Sequence, residues 1–214
     1  MMTDRISDKL KLLKPSGIRK FFDIVATKKG VISLGVGEPD FSTPWSIIDA
    51  AFYNIKKGRT HYTSNFGLLE FRQEVCKYLE KYDLKYDTDE VIATIGGSEA
   101  IDLALRSIIN PGDEIIVPEP VYVPYRPLSE LTGATVVGID TSKTQFKIDA
   151  KELEKLITPK TKAIILCYPN NPTGITMPRK DLEAVAEVLK KHEIWVITDE
   201  IYSELIYDEE HTSI

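Results

Sequence analysis

Basic residues are in the minority: 27 Lys and Arg stand against 33 Asp and Glu, a formal net charge of −6. A nucleic-acid binder needs a clustered basic face to neutralise phosphates, so this balance argues against one. A local anion site remains open, because net charge does not describe a pocket. Cysteine is scarce as well. Cys76 and Cys167 form neither a CxxC pair nor a disulfide framework, and both lie in apolar stretches as small core hydrophobes. No apolar run approaches the ~20 residues needed to cross a bilayer. The polar start Met1-Met2-Thr3-Asp4-Arg5-Ile6 lacks the apolar core of a signal peptide, so a cytoplasmic setting is expected. His61, His192 and His211 show no ligand spacing with Cys, Asp or Glu; each reads as a surface or loop residue, and no metal site is expected.

What is present has the balance of a soluble globular protein, 43% hydrophobic and 28% charged. A chain of 214 residues buries roughly 70% of its unfolded surface, enough to fold without a disulfide or metal. The first 45 residues carry many breakers, with a turn cluster at Lys14-Pro15-Ser16-Gly17 and a short strand at Val31-Ile32-Ser33-Leu34. Gly35 to Phe41 reads as a loop. Helices are expected from Trp45 to Lys57 and from Leu68 to Lys81. From residue 90 the pattern alternates. Strands are expected at Val91–Thr94, Glu114–Val117, Ala134–Ile139, Lys162–Tyr168 and Ile194–Ile197. Between them fall helices at Ser98–Ile109 and Val123–Leu131, one capped by Asp149 with Glu152 as capping-box partner, and one from Pro178 to His192. Short continuous apolar strands alternating with helices imply an α/β fold, a mostly parallel sheet covered on both faces.

In an open parallel sheet, ligands bind beyond the carboxyl ends of the strands, and the informative polar residues sit at those ends. Gly96-Gly97-Ser98-Glu99-Ala100 opens a helix, where free N–H groups and glycines make an anion site; a tight turn with Ser98 as N-cap accounts for the same residues. The run is neither GxGxxG nor Walker A, so a nucleotide binder is poorly supported. Pro169-Asn170-Asn171-Pro172-Thr173-Gly174 is a turn that also sets the Asn171 amide at the sheet edge. Thr198-Asp199-Glu200-Ile201-Tyr202 ends a buried strand in a carboxylate, which needs a cation or donor partner; capping of a following helix is the plainer alternative. Within Pro118 to Tyr125 there are two tyrosines, one of which can wall an aromatic-ligand pocket or pack in the core.

In order, VISLGVGEPDFSTP at 31–44, HYTSNFGLLEFR at 61–72, Gly96 to Ala100, Asn170 to Gly174 and Thr198 to Tyr202 resemble class I pyridoxal-phosphate-dependent aminotransferases, nearest to the aspartate and aromatic aminotransferase branch. The resemblance implies a fold type I large domain, a three-layer αβα arrangement, over residues 46–214. It assigns residues 1–45 to an N-terminal arm and part of a small domain. It implies pyridoxal 5'-phosphate as cofactor, with Asp199 on the pyridine nitrogen, Asn171 and Tyr202 on the phenolic oxygen, and Tyr122 stacked on the ring. Gly97, Ser98 and Glu99 would cradle the phosphate. A homodimer is implied, with Tyr62 reaching the neighbouring subunit's cofactor and Gly37 near the substrate carboxylate. The activity implied is transfer of an amino group from an aspartate- or aromatic-type amino acid to a 2-oxo acid such as 2-oxoglutarate.

One departure stands out. The family's Schiff-base lysine follows the aspartate strand, whereas this chain ends at His211-Thr212-Ser213-Ile214, and no lysine present stands at the matching place. The arginines that hold the phosphate and the substrate carboxylate are absent too. The expectation is therefore an amino-terminal fragment, inactive alone, of a transaminating parent. A carbon–sulfur lyase of the same fold, or a non-catalytic binding module that kept the pocket, are the alternatives.

Overall fold

The computed structural model describes residues 5–13, 24, 27, 30, 41–208 and 210–214. The strand expected at 31–34, Gly37 and most of its loop lie outside the described residues. The chain divides into two compact units: Lys14–Tyr78 with Lys85–Ala93, and Met1–Leu13 with Leu79–Leu84 and Thr94–Ile214. This division does not follow the 45/46 boundary of the sequence reading.

The described helices begin with α1 (Asp8–Leu12), α2 (Trp45–Lys56) and α3 (Leu69–Glu80), the latter two within a residue of their expected limits. Pro44 precedes α2 with a φ of −53°, and its carbonyl accepts from the Ile47 and Ile48 N–H groups at 3.0 and 3.2 Å. Proline suits this place because its fixed φ and missing N–H cost a helix start nothing. The smaller unit then runs through a 3-10 turn at Thr88–Glu90, closed by a reciprocal capping box between Asp87 and Glu90.

The strand expected at Val91–Thr94 does not form. Its backbone is irregular, and the Ala93 N–H donates to the Phe66 carbonyl at 2.9 Å. Val91, Ile92 and Thr94 have good β-propensity, but such residues make a strand only where a neighbouring strand takes their N–H and C=O groups, and none among the described residues does. Gly67 makes the close approach to Ala93 feasible. Its φ is +95°, and an added Cβ would stand 2.6 Å from the Ala93 Cβ.

The larger unit carries the alternation. In order come α4 (Gly97–Ile108), β1 (Glu114–Glu119), α5 (Tyr125–Thr132), β2 (Thr135–Asp140), α6 (Ala150–Leu156), β3 (Thr161–Cys167), α7 (Arg179–His192) and β4 (Trp195–Asp199). The strands form one parallel sheet in the order β2-β1-β3-β4. Successive side chains of a strand point to opposite faces, and two cores result. Ile116, Ile164 and Leu166 pack with Leu153, Leu182, Val185 and Leu189 of α6 and α7. Ile115, Val117, Ala163, Ile165 and Cys167 pack with Ile101 and Leu105 of α4 and Tyr125 of α5. The result is the three-layer α/β arrangement that the alternation implies.

Boundaries differ in small ways with local causes. Helix α5 starts at Tyr125, after Pro124, rather than at Val123. Pro178 is the N-cap of α7 rather than part of its first turn. Asp149 caps α6 by accepting from the Lys151 and Glu152 N–H groups, while the Glu152 carboxylate pairs with Lys155 instead of closing a box.

These positions set the cost of three substitutions. Ile164→Ala, fully buried at the centre of the sheet, should lower unfolding free energy by about 2–5 kcal/mol in urea titrations. Gly58→Ala, at a φ of +70° with open space around it, should cost about 1 kcal/mol. Gly67→Ala should cost about 1–3 kcal/mol beyond that, because it adds an overpacked contact to the strained backbone.

Candidate functional site

The strand order fixes where a ligand can enter. The chain leaves β1 for β2 on one side, then returns past β1 to build β3 and β4 on the other. At that reversal the connections after β1 and β3 diverge and leave a crevice beyond their carboxyl ends, the ordinary ligand position in such sheets. A cleft opens there with about 460 Å³ of empty volume, lined by Gly97, Ser98, Tyr122, Asn171, Asp199 and Tyr202 among others. Six residues singled out from sequence thus share one cavity.

Each arrives by a simple local route. Gly97 and Ser98 open α4 after Gly96, whose φ of 79° turns the chain into the helix. Gly96, rather than Ser98, is the N-cap, and no side chain caps this end. Its first N–H groups therefore point out of the helix without a capping acceptor, and the space where a Cβ of Gly97 would sit is open. Glu99 does not line the cleft; its carboxylate turns back to accept from the Ile95 N–H. Tyr122 follows β1 and packs edge-to-face on Tyr125, centroids 5.5 Å apart. Asn171 follows β3 and donates from its amide to the Tyr202 hydroxyl at 3.1 Å. Asp199 ends β4, directly opposite Cys167 of β3 in the sheet register.

The sequence reading asked for a partner for Asp199, and the structure supplies two donors. Asp199 Oδ2 accepts from the Tyr125 hydroxyl at 2.7 Å, and Oδ1 accepts from the Ile201 N–H at 3.1 Å. Tyr125 itself is fully buried. Burial first, then hydrogen bonding with Cys167 and Asp199, pushes its phenol far above the ordinary tyrosine range. Cys167 forms part of the cleft floor, and burial pushes its thiol up as well. Among the described residues, no lysine lines the cleft.

Two further residues of the sequence reading are not among those lining this cleft as described, and Tyr62 was expected at the neighbouring subunit's cofactor. Tyr62 is fully exposed in the smaller unit, and Gly37 lies outside the described residues. One residue beyond Asp199 there is a cluster that sequence reading missed. Glu200 accepts from Ser213 at 2.6 Å and Thr198 at 3.1 Å, and lies 2.9 Å from His211 Nε2. His211 is in irregular backbone as expected, but it is not a surface residue: its side chain is only 6% exposed, against the Tyr82 ring. Among the described residues there is no group of three or more metal-ligand side chains, and no helix long and apolar enough to cross a membrane.

Comparison with known proteins is consistent with this geometry. Residues 29–214 match the family model for aminotransferase class I and II. The putative aminotransferase YugH of Bacillus subtilis is 50% identical over this whole chain and 56% of its own length. The probable N-acetyl-LL-diaminopimelate aminotransferase of the same organism is 46% identical over this whole chain and 55% of its own. The aspartate aminotransferase from Thermus thermophilus, solved with maleate, superposes with a TM-score of 0.92 at 34% identity, over 97% of this chain and 56% of that one. The chain belongs to the class I and II aminotransferases, a pyridoxal-phosphate-dependent family. It spans about half the length of the curated relatives it matches.

The raised pKa values set an alkaline limit on stability. Cys167, Tyr125 and Tyr168 all hold their protons more tightly folded than unfolded. The native state therefore binds more protons at high pH, and stability falls as pH rises. Urea midpoints should hold steady up to about pH 8, then fall from about 8.5 as the unfolded thiol ionises, and faster near 10 as unfolded tyrosines do. Cys167→Ala should remove the first part of that decline.

Proposed function

We propose that the cleft holds pyridoxal 5'-phosphate, and that the whole protein passes an amino group from an aspartate- or aromatic-type amino acid to a 2-oxo acid such as 2-oxoglutarate, while this chain, which spans about half the length of its relatives, is inactive alone. The observation that carries this reading is the convergence of an uncapped helix start, an anionic Asp199, a paired Asn171 and Tyr202 and the Tyr122 ring on one cleft. Each matches a different part of the cofactor. The N–H groups of Gly97, Ser98 and Glu99 suit a phosphate, since a helix start presents free donors and a partial positive charge. Asp199 suits a protonated pyridine nitrogen. The Asn171 amide and Tyr202 phenol, already within hydrogen-bond reach of each other, suit an oxygen shared between them. Tyr122 offers a ring for stacking.

Bound there, pyridoxal phosphate supplies a ring that accepts the electron pair released when a bond to the amino-bearing carbon breaks. The chain's own residues set the conditions for that. The Asp199 carboxylate would face the ring nitrogen, where a negative charge favours the protonated, electron-accepting form. Asn171 and Tyr202 would hold the cofactor by its phenolic oxygen, and Ile101 and Tyr125 close the cleft on its buried side. Completion of the site by Tyr62 of a second subunit in a homodimer, a substrate contact at Gly37, and a cytoplasmic setting belong to the same proposal.

The test is a pyridoxal-phosphate titration of the chain followed by absorbance, then borohydride reduction and intact mass. Saturable binding is expected, with no stoichiometric adduct, because no lysine among the described residues lines the cleft. Asp199→Ala should weaken binding by roughly tenfold or more, since a hydrogen bond to a charged group is lost. Absence of saturable binding, or binding indifferent to Asp199→Ala, would overturn the assignment.

A further inference from the structure

Tyr125 ends the Pro118 to Tyr125 run and received no role of its own from the sequence, yet it makes the shortest described contact to the carboxylate at the heart of the cleft. Its ring is fully buried in the core between the sheet and α4, and its hydroxyl donates to Asp199 Oδ2 at 2.7 Å. The ring is braced from the side by Tyr122, and the Tyr125 carbonyl accepts from the buried Ser129 hydroxyl at 2.8 Å, one turn along α5. The other carboxylate oxygen is held from the opposite direction by the Ile201 N–H. An ionised carboxylate has about four acceptor sites, so these two bonds orient Asp199 and still leave positions free on the cleft side.

We propose that Tyr125 is a positioning residue for Asp199: a buried phenol on α5 that fixes the direction in which the carboxylate at the end of β4 meets the ring nitrogen of the bound cofactor. The inference rests on the cofactor reading above and adds a residue to it. A phenol suits the task because it donates a hydrogen bond without bringing a positive charge. Lysine or arginine there would compete with the protonated ring nitrogen for the same carboxylate. Burial favours the neutral phenol over the phenolate, so the donor persists across the pH range in which the protein is folded.

The experiment compares two probes on the wild-type chain, Tyr125→Phe, Asp199→Ala and the double variant. The probes are pyridoxal phosphate and its analogue with CH in place of the ring nitrogen. Tyr125→Phe removes one oxygen and keeps the ring, and circular dichroism checks that the fold is retained. The expected result is about fivefold or greater weakening of pyridoxal-phosphate binding, with no change for the analogue and no further loss on the Asp199→Ala background. Equal weakening for both probes means Tyr125 merely packs the cleft, and overturns the proposal. So does an unchanged affinity. If the wild type shows no saturable binding, the cofactor reading falls and this inference falls with it, a result distinct from either of those. Should Tyr125→Phe fail to fold, 3-fluorotyrosine at position 125 keeps the ring and strengthens the donor. It should change the ratio of the two probes' affinities, and an unchanged ratio overturns the proposal.

Discussion

The pairing of β1 with β3 is the constraint on which the rest of the larger unit depends. Those strands are neighbours in the sheet but not consecutive in the chain, which builds β2 on the far side of β1 before coming back. The return sets the reversal of direction at the centre of the sheet, and the crevice above it follows from topology rather than from any one side chain. It also separates the helices into two layers, α4 and α5 over one face and α6 and α7 over the other. The cleft opens on the α4 and α5 side because Cys167 and Tyr125 belong to that core. The apolar core and the polar site therefore share a wall.

Much of this was legible in the amino-acid sequence, for identifiable reasons. The four strands of the sheet are short apolar runs bounded by polar or breaking residues, and their helices begin and end at Pro124, Asp149, Pro178 and Gly133. Local chemistry decides such features, so local reading finds them. Val91–Thr94 shows where that ends. Its residues favour a strand, but strand formation is decided by a neighbour far along the chain, and there the partner is a single carbonyl at Phe66.

The site divides along the same line. Gly97, Ser98, Asn171, Asp199 and Tyr202 could be read because each stands at the end of a recognisable strand or the start of a helix. The Tyr125–Asp199 bond could not, since 74 residues separate its ends and Tyr125 sits in a helix that reads as ordinary core. The one available hint was physical: a carboxylate ending a buried strand demands a donor, and a tyrosine places one inside an apolar core without a charge. His211 is the same kind of case. Its place near the end of the chain suggests exposure, whereas Glu200 draws it into contact with Tyr82.

The electrostatic design of the cleft lies in the separation of its charges. Negative charge is concentrated at Asp199, at the end of β4. The positive end of a helix dipole lies at Gly97 and Ser98, on a different element. A ligand with a cationic ring nitrogen at one end and a phosphate at the other satisfies both only in one orientation. Between those poles the walls are neutral: Tyr122, Tyr125, Asn171 and Tyr202 contribute rings, hydroxyls and an amide, and Cys167 a thiol that burial keeps protonated. Neutral donors can orient Asp199 without quenching it, and the strength of a charge in a poorly solvated pocket depends on keeping counter-charges away from it. Orientation and charge are therefore set by different residues, and each can be altered without the other.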